Sequence, residues 1–176
     1  EWMVTDEDRT LQEVLGKMLT KRNQTLSTAE SCTGGYVAHL ITSIPGSSVY
    51  FRGSVIAYDN EIKKELLDVD PGLLSAYGAV SEEVVRSMVA GILQHMQTDF
   101  AIATSGIMGP GGGSEKKPVG TVWIAAGDAR ETFTQKLWFR FDRQRNIELT
   151  SANVLNLLRR FILSRRPPDG LPDLIN

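Results

Sequence analysis

The chain has 176 residues, a length typical of one globular domain, and 41% of them are hydrophobic while 23% are charged. This composition excludes a disordered or fibrous protein. The net charge of −2 is too small for a protein that binds nucleic acid by neutralising many phosphates, so we expect no nucleic-acid partner. Because Cys32 is the single cysteine, a disulfide within the chain and a cysteine-rich zinc site are excluded.

Other patterns bear on location and on metals. The N-terminus lacks the basic and apolar regions of a signal peptide, and no apolar run approaches the roughly 20 residues of a membrane span. We therefore expect a soluble, cytoplasmic protein with no membrane partner. His39 and His95 are the two histidines, and so small a number argues against a metal site.

The first hundred residues alternate between helix and strand patterns. Thr10 and Glu13 fit a capping box, and apolar residues from Leu11 to Leu19 recur at the spacing of an amphipathic helix. Ser81 can cap a later helix that has acidic residues in its first turn. In chain order, the pattern predicts a helix from residue 11, a strand over 24–28, a helix over 34–42, a strand over 51–58, a helix over 60–67, a helical turn over 73–77 and a helix over 82–96.

The remaining residues predict a hairpin-like pair of strands and a last helix. A continuous apolar run over 100–104 is typical of a buried central strand. Strands over 119–126 and 132–141 and a helix over 143–163 follow. We predict an α/β protein with a three-layer α/β/α architecture and a mixed, mainly parallel central sheet. The predicted single domain covers residues 5–166, and the predicted loose tail covers 167–176.

Three segments contain candidate functional residues, and the first is the small, polar stretch over 30–35. It joins a predicted strand to a helix, and the free N–H groups of a helix N-terminus suit an anion or a developing oxyanion. The alternative is an ordinary turn in which Ser31 and Thr33 act as caps. A helix N-terminus also lowers a thiol pKa, but a buried, inert state is the commoner one for a cysteine such as Cys32.

The second segment is the glycine-rich loop over residues 105–118. It follows the most buried predicted strand, and ligands of open α/β sheets collect outside the carboxyl ends of such strands. Its glycines allow close approach of the backbone, and Lys116 and Lys117 add positive charge. The spacing matches neither the P-loop nor the dinucleotide fingerprint, and a flexible surface loop is the alternative. Further along the chain, Arg145 lies at a predicted helix start, where it could reach a ligand phosphate.

The third segment contains Ser48, Tyr58 and Lys63. A lysine whose pKa is lowered by burial can act as a general base for a serine, which makes Ser48 a candidate nucleophile. The alternative gives the three residues ordinary roles as a turn serine, a core tyrosine and a solvated lysine. A Ser-His-Asp triad has less support, because neither His39 nor His95 accompanies a loop serine in the sequence.

Together these segments resemble the CinA C-terminal domain family, whose members include the nicotinamide mononucleotide deamidases called PncC. The similarity runs from about Leu11 to Leu163. Met108 departs from the pattern, because the family commonly has a small residue there, and a methionine would narrow a pocket. The N-terminal domain of full-length CinA proteins is absent, so we expect a stand-alone version. The matching motifs are residues 28–35 (TAESCTGG), 45–48 (PGSS), 50–51 (YF), 53–58 (GSVIAY), 78–81 (GAVS), 104–110 (TSGIMGP) and 117–122 (KPVGTV).

The resemblance implies an amidohydrolase that converts nicotinamide mononucleotide to nicotinic acid mononucleotide and ammonia without a metal or cofactor. Our hypothesis is that Ser48 attacks the carboxamide, Lys63 takes its proton and Tyr58 relays or orients it; Ser31 is the rival nucleophile. Backbone N–H groups near Ser31 or Ser105 would hold the oxyanion. The candidate substrate-binding residues are Glu30, Thr33, Gly34, Gly35, Thr104, Ser105, Gly106, Gly109, Gly111, Gly112, Lys117 and Arg145.

The family resemblance also implies a homodimer. Two other functions stay open at this point. One is a catalytically inactive module that binds a nucleotide and is associated with competence or repair. The other is a hydrolase of different small amides or esters that uses the same serine.

Overall fold

The computed structural model describes residues 9–165, which form one sheet with helices on both of its faces. The strands are β1 (Leu26–Glu30), β2 (Phe51–Ile56), β3 (Phe100–Gly106), β4 (Thr121–Gly127) and β5 (Thr132–Trp138). Their spatial order is β2-β1-β3-β4-β5. β1 is parallel to β2 and to β3, whereas β4 is antiparallel to β3 and to β5. Every strand except β4 therefore runs in the same direction, and the predicted mixed, mainly parallel sheet is confirmed.

The helices divide into two layers. They are α1 (Leu11–Arg22), α2 (Tyr36–Thr42), α3 (Asn60–Leu67), α4 (Pro71–Tyr77), α5 (Glu82–Met96) and α6 (Arg143–Ser164). α1, α2 and α6 pack on one face of the sheet, and α3, α4 and α5 lie on the other, which confirms the three-layer prediction. No helix within residues 9–165 has the length and apolar character needed to span a membrane. The predicted loose tail over 167–176 lies outside the described residues.

β3 shows how one strand serves both cores. Phe100 and Ile102 belong to the core under α1 and α6, and the alternate positions Ala101 and Ala103 belong to the core under α5. Small residues on that second side let α5 lie close to the sheet. Gly91 of α5 in turn permits close contact with α3, because a Cβ at this position would lie 1.9 Å from the carbonyl oxygen at the end of α3.

Local sequence patterns explain most element boundaries. The capping box is present: Glu13 N–H donates to the Thr10 hydroxyl, and Thr10 N–H donates to the Glu13 carboxylate. The Ser81 hydroxyl accepts from the N–H of Val84 at the start of α5. Several boundaries differ from the prediction by one to three residues. β1 begins and ends two residues later, and a 3-10 helix (Ser47–Val49) replaces part of the predicted loop before β2.

Candidate functional site

A pocket of about 200 Å³ lies at the carboxyl ends of the parallel strands β1, β2 and β3. The chain leaves β1 toward β2 on one side, and β3 lies on the other side of β1, so the strand order reverses there. Crevices at such reversal points are where open α/β sheets bind ligands. The lining residues are Ser31, Cys32, Tyr58, Asn60, Lys63, Ala79, Val80, Ser105, Gly106, Met108 and Arg143.

A larger groove of about 840 Å³ lies at the opposite edge of the sheet, between α5 and the turn joining β4 to β5. Several of its charged groups already have charged partners outside the groove. Arg86 bonds to Glu82, and Arg165 bonds to Asp128 from beside the groove. The smaller pocket at the carboxyl edge is therefore the better candidate for chemistry.

Ser31 is the first residue after β1 and lies in the wall of the pocket, where it is 8% exposed. Its backbone N–H donates to the Thr104 carbonyl of β3 at 3.0 Å, which fixes the residue beside the strand end. Within residues 9–165, the Ser31 hydroxyl makes no hydrogen bond, and the backbone N–H groups of Cys32 and Thr33 donate to no other residue. The turn after β1 thus combines an unengaged hydroxyl with the N–H group of Thr33 and with that of Cys32, which bonds only to its own thiol.

Lys63 lies on α3 and reaches the same pocket. Its side chain is 1% exposed, and the Nζ donates to the carbonyl oxygens of Ala57 at 2.7 Å and Tyr58 at 3.3 Å. Burial lowers the pKa of this amine below 10.5, although the charges of Asp59 and Cys32 act in the opposite direction. The neutral amine that a general base requires is therefore more accessible here than in a solvated lysine.

The predicted pairing of Ser48 with Lys63 is wrong within one chain. Ser48 is exposed in the 3-10 helix before β2, whereas Lys63 follows the far end of that strand. A strand of six residues spans roughly 20 Å, so the two side chains lie at opposite ends of β2. Ser31 and Lys63, by contrast, line the same pocket.

Glu30 has a structural role in this chain and does not line the pocket. Its carboxylate accepts from the N–H groups of Gly35 at 3.0 Å, Val37 at 3.1 Å and Ala38 at 2.7 Å, and from the Thr33 hydroxyl at 2.7 Å. It therefore occupies the positive end of α2 that the sequence offered to a ligand anion. The prediction that Glu30 binds substrate is corrected accordingly.

Thr33 and Thr104 extend this buried network, and neither lines the pocket. Their hydroxyl oxygens lie 2.8 Å apart, and both side chains are almost fully buried. Gly34 and Gly35 have positive φ values of 60° and 95° and shape the turn, but they too lie outside the pocket lining. Their predicted contact with substrate stays a prediction, and none of the four lines the pocket in this structure.

Cys32 lines the pocket but is a poor nucleophile. Burial, with a smaller contribution from the nearby Glu30 carboxylate, raises the pKa of its thiol to about 12. A hydrogen bond with Thr104 and the charge of Lys63 only partly oppose this effect. Because the thiolate is the reactive form, Cys32 stays protonated and inert near neutral pH.

Tyr58 and Arg143 form the rim of the pocket. The Tyr58 hydroxyl accepts from Arg143 Nη2 at 2.9 Å, and Arg143 Nη1 donates to the Gly109 carbonyl at 2.8 Å. Tyr58 is 60% exposed, so it is not the core aromatic of the structural alternative. Arg145, the arginine chosen from the sequence, is outside the pocket and pairs with Glu148 at 3.1 Å. The rim cation is therefore Arg143.

The glycine-rich loop contributes its first residues to the pocket and little else. Gly106 and Met108 line it, and Ser105 is held there by donating its hydroxyl to the Ala79 carbonyl at 2.8 Å. The predicted ligands Gly109, Gly111, Gly112 and Lys117 lie outside the lining. The Lys117 ammonium donates to the Tyr77 carbonyl, so it fastens the loop to α4.

Comparison with known proteins identifies the family of the chain. The CinA C-terminal domain matches residues 8–162. The chain belongs to this family. A CinA-like protein from Cytophaga hutchinsonii is 50% identical over 151 residues, which are 86% of this chain and 36% of the relative. A putative competence-damage inducible protein from Symbiobacterium thermophilum is 47% identical, over 89% of this chain and 39% of the relative. This CinA C-terminal domain thus spans little more than a third of these curated relatives.

Solved structures of the superfamily share the fold. The competence damage-inducible protein A from Klebsiella pneumoniae superposes with a TM-score of 0.86 at 32% identity, over 89% of this chain and 97% of that one. The competence/damage inducible protein from Agrobacterium tumefaciens gives a TM-score of 0.83 at 34% identity, over 85% and 92%. The α/β architecture of this CinA C-terminal domain is therefore that of its superfamily.

Several pocket residues of this CinA C-terminal domain had no signature of their own in the sequence. Asn60 reads as the first residue of a helix, Arg143 as one arginine among several, and Ala79 and Val80 as a connection. Ala79 and Val80 do belong to a motif shared with the family, and this motif is the sequence feature that could have indicated them. Met108, which departs from the family pattern, does line the pocket. Within residues 9–165, no group of histidine, cysteine, aspartate and glutamate side chains is placed to hold a metal ion.

Proposed function

We propose that this CinA C-terminal domain is an amidohydrolase that converts nicotinamide mononucleotide to nicotinic acid mononucleotide and ammonia, with Ser31 as nucleophile and Lys63 as base. The observation that carries the proposal is the meeting of an unengaged serine hydroxyl and a buried lysine of lowered pKa in one pocket. Serine and lysine together suffice for acyl transfer when the lysine is neutral. Family membership supports the choice of substrate.

The contacts of Lys63 suit a proton acceptor. A neutral amine has two hydrogens and one lone pair, and the carbonyl oxygens of Ala57 and Tyr58 can accept both hydrogens. The lone pair is then left for the proton of Ser31. Burial favours this neutral form, because it lowers the pKa of the amine.

In the first half-reaction, Ser31 Oγ attacks the carboxamide carbon while its proton passes to Lys63 Nζ. The N–H groups of Cys32 and Thr33 are the proposed donors to the oxyanion, because the residue after a serine nucleophile on a strand-to-helix turn commonly has this role. When the tetrahedral intermediate collapses, the C–N bond breaks. Lys63 returns the proton to the nitrogen, which leaves as ammonia.

In the second half-reaction, water attacks the acyl-enzyme ester and gives a proton to Lys63. The bond between the acyl carbon and Ser31 Oγ breaks, and Lys63 passes its proton to that oxygen. Nicotinic acid mononucleotide leaves, and both residues return to their starting state. This chemistry requires proton transfer and oxyanion stabilisation alone.

The size of the pocket suggests how the substrate is placed. A volume of about 200 Å³ suits the pyridine carboxamide and leaves the ribose phosphate outside. Arg143 lies at the rim, and its guanidinium has further N–H donors beyond those given to Gly109 and Tyr58. We assign the substrate phosphate to this arginine, which takes the place of the predicted Arg145.

Ammonia release from nicotinamide mononucleotide, measured with purified wild-type protein and two serine variants, tests the proposal. Ser31→Ala should lose about 10³-fold or more in kcat, because it removes the nucleophile. Ser48→Ala is the matched control and should stay within about twofold, because an exposed serine at the far edge touches nothing in the pocket. A large loss in the Ser48 variant with normal Ser31→Ala turnover would overturn the assignment.

The same assay separates the competing functions. Binding of the nucleotide without ammonia release from the wild type would favour the inactive nucleotide-binding module. Release of ammonia from other small amides, but not from this nucleotide, would favour a hydrolase of different specificity. Either result would contradict the proposed reaction.

A further inference from the structure

A buried asparagine at the start of α6 makes three hydrogen bonds beside the pocket without lining it. Asn146 is fully buried, and its Nδ2 donates to the Met108 carbonyl at 3.1 Å and to the Phe141 carbonyl at 3.1 Å. Its Oδ1 accepts from the Phe141 N–H at 3.3 Å. Every polar atom of this side chain is thus used to hold backbone.

These bonds connect two segments that are far apart in the sequence. Met108 belongs to the segment after β3, and Phe141 to the segment between β5 and α6. One helical turn before Asn146, Arg143 donates to the Gly109 carbonyl next to Met108. The first turn of α6 therefore holds two successive carbonyl groups at the root of the glycine-rich loop.

The residue held in this way forms part of the pocket wall. Met108 is 3% exposed and lines the pocket beside Gly106. A methionine side chain has three rotatable bonds and adapts to its surroundings, so its place depends on a fixed backbone. The Asn146 amide supplies that fixed point, since it donates to the Met108 carbonyl itself.

We propose that Asn146 is a positioning residue that fixes the Met108 wall and thereby sets how tightly the pocket holds the substrate ring. The role rests on the proposed function for its substrate. Asn146 acts on binding and not on the chemical step, because Ser31 and Lys63 belong to other elements and make no hydrogen bond to it. It is consequently distinct from the nucleophile and the base.

Two variants and one matched control test this role. Asn146→Asp keeps the side-chain shape but places a carboxylate oxygen against the Met108 carbonyl, and Asn146→Ala removes the amide should the charged variant fail to fold. The control is Ile162→Ala, a buried position much further along the same helix that lowers stability without touching the loop. KM and kcat for nicotinamide mononucleotide, and Tm, are measured for each.

A second readout does not depend on activity. Methionine methyl groups labelled with ¹³C give one NMR signal each, and Met108→Leu identifies the signal of Met108. Loss of the Asn146 amide should shift or broaden this signal, while the control variant leaves it in place. The expected kinetic result for Asn146→Ala is a rise in KM of about tenfold with kcat within about twofold.

The outcomes discriminate between the two proposals. Wild-type KM in Asn146→Ala, or an equal rise in KM in Ile162→Ala, would overturn the positioning role. If wild-type protein releases no ammonia from the nucleotide, the proposed function fails, and the Met108 signal alone decides the role. An unchanged signal in Asn146→Ala would then refute it, and a displaced signal would uphold it.

Discussion

At the scale of single residues, burial controls the protonation chemistry of the pocket, and Lys63 gives the clearest prediction. Its pKa is lowered from 10.5, mainly by burial, so the neutral base becomes populated as the pH rises through that lowered pKa. We expect kcat/KM to increase about tenfold per pH unit and then level off. Lys63→Arg should lose about 10²- to 10⁴-fold, because a guanidinium stays charged. Rates that decrease with rising pH would contradict the role of Lys63 as base.

The thiol of Cys32 gives a second prediction at this scale. Because its pKa is raised to about 12, the native protein should react negligibly with iodoacetamide at neutral pH. The same protein in denaturant should be alkylated completely, which serves as the control. Cys32→Ser should keep activity within about tenfold, since the side chain has no chemical role. Rapid alkylation of the native protein, with loss of activity, would show that the cysteine is reactive after all.

Residue identity alone could not select the members of the site. Ser48 and Lys63 are close in the sequence, but the intervening strand separates them in space. Ser31 and Lys63 are further apart in the chain and meet because β1 and β2 are parallel and end at the same edge. Arg143 and Arg145 differ by two helical positions, which is a rotation of about 200°, so one faces the pocket and the other faces solvent. A helix start is visible in the sequence, but the face that it presents is set by packing.

At the scale of elements, the turn from β1 to α2 depends on one buried carboxylate. Glu30 accepts from three backbone N–H groups at the start of α2. Glu30→Gln should lower the free energy of unfolding by about 3 kcal/mol, because hydrogen bonds to a charged group are lost and an amide donor faces backbone donors. Urea unfolding measures this loss. Glu65→Gln, at an exposed position on α3, should change it by less than about 0.5 kcal/mol.

The contact between α3 and α5 leads to another prediction, because α3 carries Lys63. Alanine is usually favoured over glycine in a helix by roughly 0.5–1 kcal/mol. At Gly91, however, the added Cβ would lie 1.9 Å from the Leu67 carbonyl oxygen, so the two helices must move apart. Gly91→Ala should therefore lower both Tm and kcat, the latter by displacing the base. An increase in Tm, measured by calorimetry, would show that the helices tolerate the methyl group.

At the scale of the whole molecule, the layer architecture followed from local patterns. Alternating helix and strand signals, the capping box at Thr10 and the buried run over 100–104 predict three layers and a mixed sheet. The order of strands does not follow from these signals, because it depends on which strands pair across long connections. That order decides which strand ends converge, so the position of the pocket could be predicted only in general terms.

Oligomeric state is the remaining prediction at this scale. β2 and β5 are the two edge strands of the sheet. At the β5 edge, Trp138 is 53% exposed, although its indole N–H donates to the Val119 carbonyl and Arg140 lies over the ring at 4.0 Å. Beside β2, Val49 is 60% exposed, and on the strand Ile56 is 51% exposed. Exposed apolar side chains occur at both edges, but at β5 a charged guanidinium already packs on the exposed ring, so we expect a homodimer joined along β2.

Light scattering tests this expectation, since a dimer has twice the 19.4 kDa mass of the chain. Ile56→Lys should yield monomers, because a charge on the edge strand opposes pairing. Trp138→Lys is the matched control and should stay dimeric, because that edge is not the one used. A monomeric wild type would contradict the predicted dimer. If only the Trp138 variant is monomeric, the interface lies along β5 and not β2. Ile56 lies two residues before Tyr58, which is at the pocket rim. A β2 interface would therefore place the second copy beside the substrate phosphate. Loss of the dimer should then raise KM for the nucleotide more than it lowers kcat.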